Sequence, residues 1–267
     1  MPIHLGPFAD RLSAHLGFLY TERPLPERFA AAARNGFRVM EHPNLFSTPA
    51  REVAGWLNAA GLSLVQTSFP AGDASRGEKG FAGLPDRAGA FRDSVAPTLD
   101  YVEEIGGCRL VHAMAGVRPA GVAQDRLLDT YRESLAFAAD LAARRGMEIL
   151  IEPIGPGSIA DYIVDDPLLA VRLIGEVGRP NVKLLFDAYH AHCLGHDPAA
   201  LIREHAALIA HVQIADDPGR HEPGTGTIAF DPIFAALEAV GYAGTIGCEY
   251  HPATTTEEGL GWIRGAA

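Results

Sequence analysis

The sequence predicts an α/β protein built as a single (β/α)8 barrel, and three observations carry that expectation. Short apolar or β-branched runs alternate with longer stretches rich in Ala, Leu, Glu and Arg, the pattern of parallel strands joined by helices. Eight such units fit within the 267 residues, near the ~250 typical of an eightfold barrel. No Gly-rich turn follows the first strand, where the text reads TERPLPERF (21–29), and an open doubly wound sheet typically places one there.

Strands are expected at LSAHLGFLY (12–20), FRVMEH (37–42), LSLVQTSF (62–69), RLVHAMAG (109–116), EILIEP (148–153), VKLLFDAYH (182–190), IAHVQIAD (209–216) and TIGCEYHP (245–252). Between them, PERFAAAARNG (26–36) starts on Pro and ends on Gly, as helices often do. DRLLDTYRESLAFAADLAARRG (125–146) places Leu128, Leu135, Phe137, Ala138 and Leu141 near one face. DPIFAALEAVG (231–241) is expected to open on an Asp cap and close on Gly241. The helix-ending glycine recurs at Gly36, Gly61 and Gly146. With no low-complexity linker in view, residues 1–267 read as one domain. The stretch 70–98 is too long and Gly-rich for a plain connection. It follows the third strand on the side where barrels place their chemistry, which suggests a lid or substrate loop.

Hydrophobic residues make up 48% of the chain, enough for a sizeable core. Lys and Arg total 22 against 33 Asp and Glu, a net charge of −11. That balance argues against nucleic acid and anionic membrane surfaces as partners, but not against a small anionic substrate held in a locally positive pocket. The three cysteines, Cys108, Cys193 and Cys248, form no CxxC motif, so a reducing cytoplasm is expected. No run of 18 or more apolar residues and no basic-then-apolar leader is seen, which suits a cytoplasmic protein with no membrane partner. A homo-oligomer is left open.

The last four strands share a feature. Each carries one polar acceptor near its C-terminal end: Glu152 in ILIEP, Asp187 in LLFDAYH, Gln213 in HVQIA and Glu249 in GCEYHP. The C-terminal mouth is where a barrel places its chemistry. Strand alternation that aims Glu249 inward sends Cys248 and Tyr250 to the helix layer. Three carboxylates and an amide converging there repel unless a cation compensates them. An all-oxygen set favours Mg²⁺ or Mn²⁺ over Zn²⁺. Isolated polar residues at strand ends are common one at a time; four on consecutive strands point to a metal. In the loop after strand seven, GRHEPGTG, Arg220 could hold a substrate carboxylate, with His221 and Glu222 beside it. Glu41 and His42 end strand two on the same rim as weaker candidates, and His112 reads as a core histidine.

The order Glu, Asp, Gln, Glu on strands five to eight resembles the sugar isomerase/epimerase superfamily of xylose isomerase-like TIM barrels. The nearer resemblance is to the hydroxypyruvate isomerase family. It is carried by TERPLPERFAAAARNGF, GDASRGEKGFAGLPDR, VHAMAGV, ILIEP, GRPNVKLLFDAYHAH, HVQIADDPGRHEPGTGTI and GYAGTIGCEYHPATTTEEGLGW, which cover most of the chain. The resemblance implies a metal-dependent isomerase that shifts a carbonyl along a short carbon chain through an enediolate, as in hydroxypyruvate to tartronate semialdehyde. It implies Glu152, Asp187, Gln213 and Glu249 as metal ligands, Glu152 and Glu249 as the acid/base pair, and His190 as a substrate contact. The chain departs from the family pattern at IGPGS (154–158) and at His251-Pro252-Ala253, where basic residues are expected. That departure widens the implied substrate to a related 3- or 4-carbon hydroxy-oxo acid, such as a 2-oxo-tetronate, or a neutral sugar. Three alternatives stay open: a ketose 3-epimerase on the same barrel, a metal-dependent hydrolase or endonuclease, and a catalytically inactive barrel that binds a metabolite.

Overall fold

The computed structural model describes residues 3–264. Its elements run β1 (Leu12–His15), α1 (Leu25–Arg34), β2 (Val39–Glu41), α2 (Ala50–Ala60), β3 (Ser63–Ser68), α3 (Ala88–Ile105), β4 (Leu110–His112), α4 (Gln124–Ala143) and β5 (Glu148–Ile151). They continue with α5 (Pro167–Val177), β6 (Val182–Asp187), α6 (Ala188–Cys193), α7 (Pro198–His205), β7 (Ile209–Ile214), α8 (Phe230–Ala239), β8 (Ile246–Cys248), α9 (Thr256–Gly259) and α10 (Gly261–Arg264). The eight strands hydrogen-bond in chain order into a closed parallel barrel with flanking helices. This is the (β/α)8 architecture expected from the sequence.

The Cα framework divides into two compact units, Met1–His42 with Ala54–Val65 and Phe186–Ala267, and Pro43–Val53 with Gln66–Leu185. In the first, β8 pairs with both β7 and β1, and β1 pairs with β2. The register sets Gln213 and Ser13 on either side of Gly247, and His15 opposite Glu41. In the second, β4 pairs with β3 and β5, and β5 with β6.

Local chemistry explains the element ends. Gly36, Gly61, Gly146 and Gly241 all have positive φ, the conformation that stops a helix at least strain when no Cβ is present. Asp166 caps α5 by accepting from Leu168 N at 2.7 Å, and Asp197 caps α7 through Ala199 N at 2.9 Å.

Four local expectations are corrected. The strands are shorter than the apolar runs: β1 ends at His15 and β8 at Cys248. Residues 188–190 belong to α6, which Asp187 starts by accepting from Tyr189 N at 2.8 Å. Residues 88–98 of the supposed loop form the first part of α3, buried through Phe91, Val95 and Thr98 despite Pro97 within the helix. Asp231 lies inside the first turn of α8 rather than capping it, and its carboxylate accepts from His4 N at 2.8 Å. The rest of the long segment is pinned by a bridge between Gly80 and Ala115.

Candidate active site

In the first unit, polar side chains collect at the C-terminal ends of strands. Asp187 ends β6, and Glu249 directly follows β8, its amide donating to Ile214 O at 3.2 Å. Arg220 lies between these carboxylates: its Nη2 is 3.2 Å from Asp187 Oδ2 and 3.1 Å from Glu249 Oε2. The guanidinium also sits over the rings of Phe18 and Tyr189, at 5.0 and 5.4 Å from their centroids. Planar and permanently charged, it suits this cationic role. Behind the carboxylates, His15 Nε2 is 3.6 Å from Glu249 Oε1, and His190 Nε2 is 3.4 Å from Asp187 Oδ2.

The loop after β7 is built to hold Arg220. Asp216 is fully buried. Its Oδ1 accepts from Asp217 N and Ile228 N at 2.9 and 3.0 Å, and its Oδ2 from Gly224 N and Gly226 N, both at 2.8 Å. A Cβ on Gly226 would lie 2.1 Å from Asp217 O, so a side chain there would break the loop. Arg220 itself is held at φ 55, a strained conformation that persists only where the surroundings enforce it. His221 Nδ1 meets His251 O at 2.7 Å, His251 N donates to Arg220 O at 2.8 Å, and Glu222 Oε2 accepts from Ala253 N at 3.0 Å. The three residues singled out in this loop thus differ. Arg220 turns to the strand-end carboxylates, while His221 and Glu222 tie the loop to the chain after β8.

Beneath this layer, Gln213 Nε2 donates to Glu41 Oε1 at 2.9 Å, and Glu41 Oε2 makes a short contact with His211 Nε2. Gln213 Oε1 is left buried without a hydrogen-bond partner.

The second unit contributes Glu152, just past β5, with His112 Nδ1 at 3.4 Å from its Oε2. Two tyrosines fix the backbone beside it. Tyr131 Oη donates to Ala113 O at 2.6 Å, and Ala115 N donates to Tyr162 Oη at 2.9 Å.

Burial dominates the electrostatics. It lifts the Glu249 carboxyl from 4.5 to about 8, with Arg220 opposing and Asp187 and Glu41 adding to the rise. It depresses His15 to about 4, against the pull of Glu41, and His190 to about 4, against that of Asp187. His112 falls to about 3 for the same reason. These three imidazoles are neutral at pH 7, so they face the carboxyl groups as uncharged polar neighbours rather than as counter-ions. Glu41 goes the other way: burial works to raise it, yet His211, His15 and Gln213 bring it below the usual carboxylate range.

Glu152, Asp187 and His190, all buried, form a group able to hold a metal ion. It shares two members with the set expected from the sequence and adds His190. Glu41 and His112 are site residues that the sequence left as a weak and a core candidate, and His15 is one that it missed. All three end their strands, the same signal that singled out the last four.

A family model described as xylose isomerase-like TIM barrel matches residues 29–266, and the chain belongs to this family. Among its curated relatives, a 2-oxo-tetronate isomerase of Cupriavidus necator is 39% identical, covering 95% of this chain and 97% of the relative. The hydroxypyruvate isomerase of Escherichia coli is 36% identical over 95% of this chain and 98% of its own length. This chain, too, is an isomerase. A solved structure from Brucella melitensis, described as an AP endonuclease of family 2, superposes with a TM-score of 0.92 at 36% identity, covering 99% of this chain and 98% of that one. The 3-keto-D-glucoside 4-epimerase of Escherichia coli shares the fold, with a TM-score of 0.79 at 23% identity over 95% of this chain and 98% of its own.

Proposed function

We propose that this chain, acting as one barrel domain, is a metal-dependent isomerase of a short hydroxy-oxo acid such as hydroxypyruvate or a 2-oxo-tetronate. The observation that carries this is Arg220, a cation held by a purpose-built loop against Asp187 and Glu249. Relatives that span nearly the whole chain are named as isomerases of two such acids.

The strand-end residues fit a divalent cation. Gln213 Oε1 is a buried acceptor without a partner, which costs about 1–3 kcal/mol unless a ligand uses it. Carboxylate and amide oxygens are the donors Mg²⁺ and Mn²⁺ take. Glu152, Asp187, Gln213 and Glu249 would hold the ion, with His190 either adding its nitrogen or meeting the substrate. When bound, the cation supplies Lewis-acid polarisation of the substrate carbonyl.

The chain's own residues do the rest. Arg220 binds the substrate carboxylate through a charge-assisted hydrogen bond. Glu152 and Glu249 remove the proton from the carbon beside the carbonyl and return one to its neighbour. Neutral His112 and His15 hold these two carboxylates in place from behind. Phe18 and Tyr189, flanking Arg220, keep water from the charged head of the substrate.

The test is turnover by protein stripped with a chelator and reloaded with Mg²⁺ or Mn²⁺. Hydroxypyruvate and 2-oxo-tetronate should be converted, with fructose, tagatose and abasic duplex DNA left unchanged. Turnover of the ketoses but of neither acid would establish the epimerase instead. Cleavage of the DNA would establish the activity that the Brucella melitensis protein is named for, which the net charge of −11 opposes.

A further inference from the structure

We infer that Glu41 is a positioning residue, which turns the Gln213 amide so that its oxygen faces the cation. The inference rests on the metal-dependent function proposed above. An amide has an acceptor end and a donor end, and only the acceptor can ligate a cation. In Gln213 the donor end is tied to Glu41 Oε1 at 2.9 Å, which leaves Oε1 as the buried end with no partner. A carboxylate cannot donate, so it accepts only the amide nitrogen and rejects the flipped rotamer. Glu41 is thereby a filter on the orientation of Gln213.

Glu41 is itself held from two further directions. His211, two residues before Gln213 on β7 and therefore on the same face of the strand, meets Glu41 Oε2 through Nε2. Because the ionised carboxylate is acceptor-only, this nitrogen carries the proton. The other ring nitrogen lies 3.4 Å from Thr245 Oγ1. The result is a chain from half-buried Thr245 through His211 and Glu41 to Gln213, with Glu41 and His211 both fully enclosed.

Gly247 is the independent sign that this arrangement is built in. It lies in the interior of β8, register-paired with Gln213, where a glycine weakens a strand. A Cβ there would stand 2.2 Å from Glu41 Oε1 and 2.8 Å from Oε2. The missing side chain is the space that the Glu41 carboxylate occupies. Outer groups that orient a metal ligand typically change affinity by about 10- to 100-fold when removed.

The test measures Mn²⁺ alone, by calorimetry or by loss of the free-ion electron paramagnetic signal, on metal-stripped protein without substrate. Folding is checked by circular dichroism and thermal melting. Glu41→Leu should weaken Mn²⁺ binding about 10- to 100-fold, and Glu41→Gln, whose oxygen can still accept from Gln213 but whose NH₂ end no longer rejects the flipped rotamer, should restore only part of it. In a Gln213→Leu background the further change Glu41→Leu should alter affinity by less than about twofold. Gly247→Ala, which displaces the carboxylate without deleting it, should weaken binding in the same direction and serves if Glu41→Leu does not fold. Unchanged Mn²⁺ affinity in folded Glu41→Leu or Gly247→Ala overturns the inference. An equal loss with and without Gln213 also overturns it, because Glu41 would then act by another route. A wild-type protein that binds no Mn²⁺ defeats the metal-dependent function itself.

Discussion

Asp216 offers the sharpest test of how the site is assembled. Asp216→Asn keeps the shape of the side chain but replaces one oxygen with an NH₂ group, which cannot accept. Each carboxylate oxygen takes two backbone N–H groups. Whichever way the amide turns, two of the four amides then face a donor. A hydrogen bond to a charged acceptor contributes about 1.5–3 kcal/mol, so the loss is about 3 kcal/mol even at the low end. At about 2–4 °C per kcal/mol for a chain of this size, the melting temperature should fall by about 6–12 °C. The damage is centred on the loop that carries Arg220, so amide exchange at Gly224, Gly226 and Ile228 should speed up well beyond that of the barrel strands. KM for the acid substrate should rise as well. A melting temperature within about 2 °C of wild type, with unchanged exchange in the loop, would refute the view that Asp216 organises it.

Other predictions concern the chemistry. Glu152→Gln and Glu249→Gln should each lower kcat by about 10²–10⁴-fold while circular dichroism and melting stay near wild type; full activity in either variant would remove that glutamate from the acid/base pair. Arg220→Ala should raise KM for a carboxylate substrate by about 10- to 100-fold, the equivalent of one charge-assisted contact of about 1.5–3 kcal/mol, measured by steady-state kinetics. Dialysis against a chelator should abolish turnover, and Mg²⁺ or Mn²⁺ should restore it; activity that survives complete metal removal, verified by elemental analysis, would exclude the metal.

The barrel was legible because its signals are local: apolar runs, helix-ending glycines and eight repeats. Asp187 and Glu249 stood out because each closes an apolar run with a charge, which is costly to bury without a partner. His15 carries the same signal but was hidden, because the apolar text continues through Leu16, Phe18 and Leu19. The strand ends at His15 only because the ladder to β2 and β8 ends near there, a non-local fact. Glu41 looked like a rim residue, and its true setting depends on Gly247, which is remote in the chain. The four amides on Asp216 are likewise invisible without the folded loop. In 88–99 the spacing of Phe91, Val95 and Leu99 was helical, but Gly89 and Pro97 masked it. Tertiary packing outweighed those two residues.

The most direct measurement of the central claim is isomerisation of the acid substrate in D₂O, followed by NMR with Mg²⁺ or Mn²⁺ present. If Glu152 and Glu249 remove and return a proton, solvent deuterium should appear on the carbon next to the carbonyl of the product. Glu152→Gln and Glu249→Gln should both suppress its appearance. Product formed at full rate with no deuterium at that carbon would contradict the account.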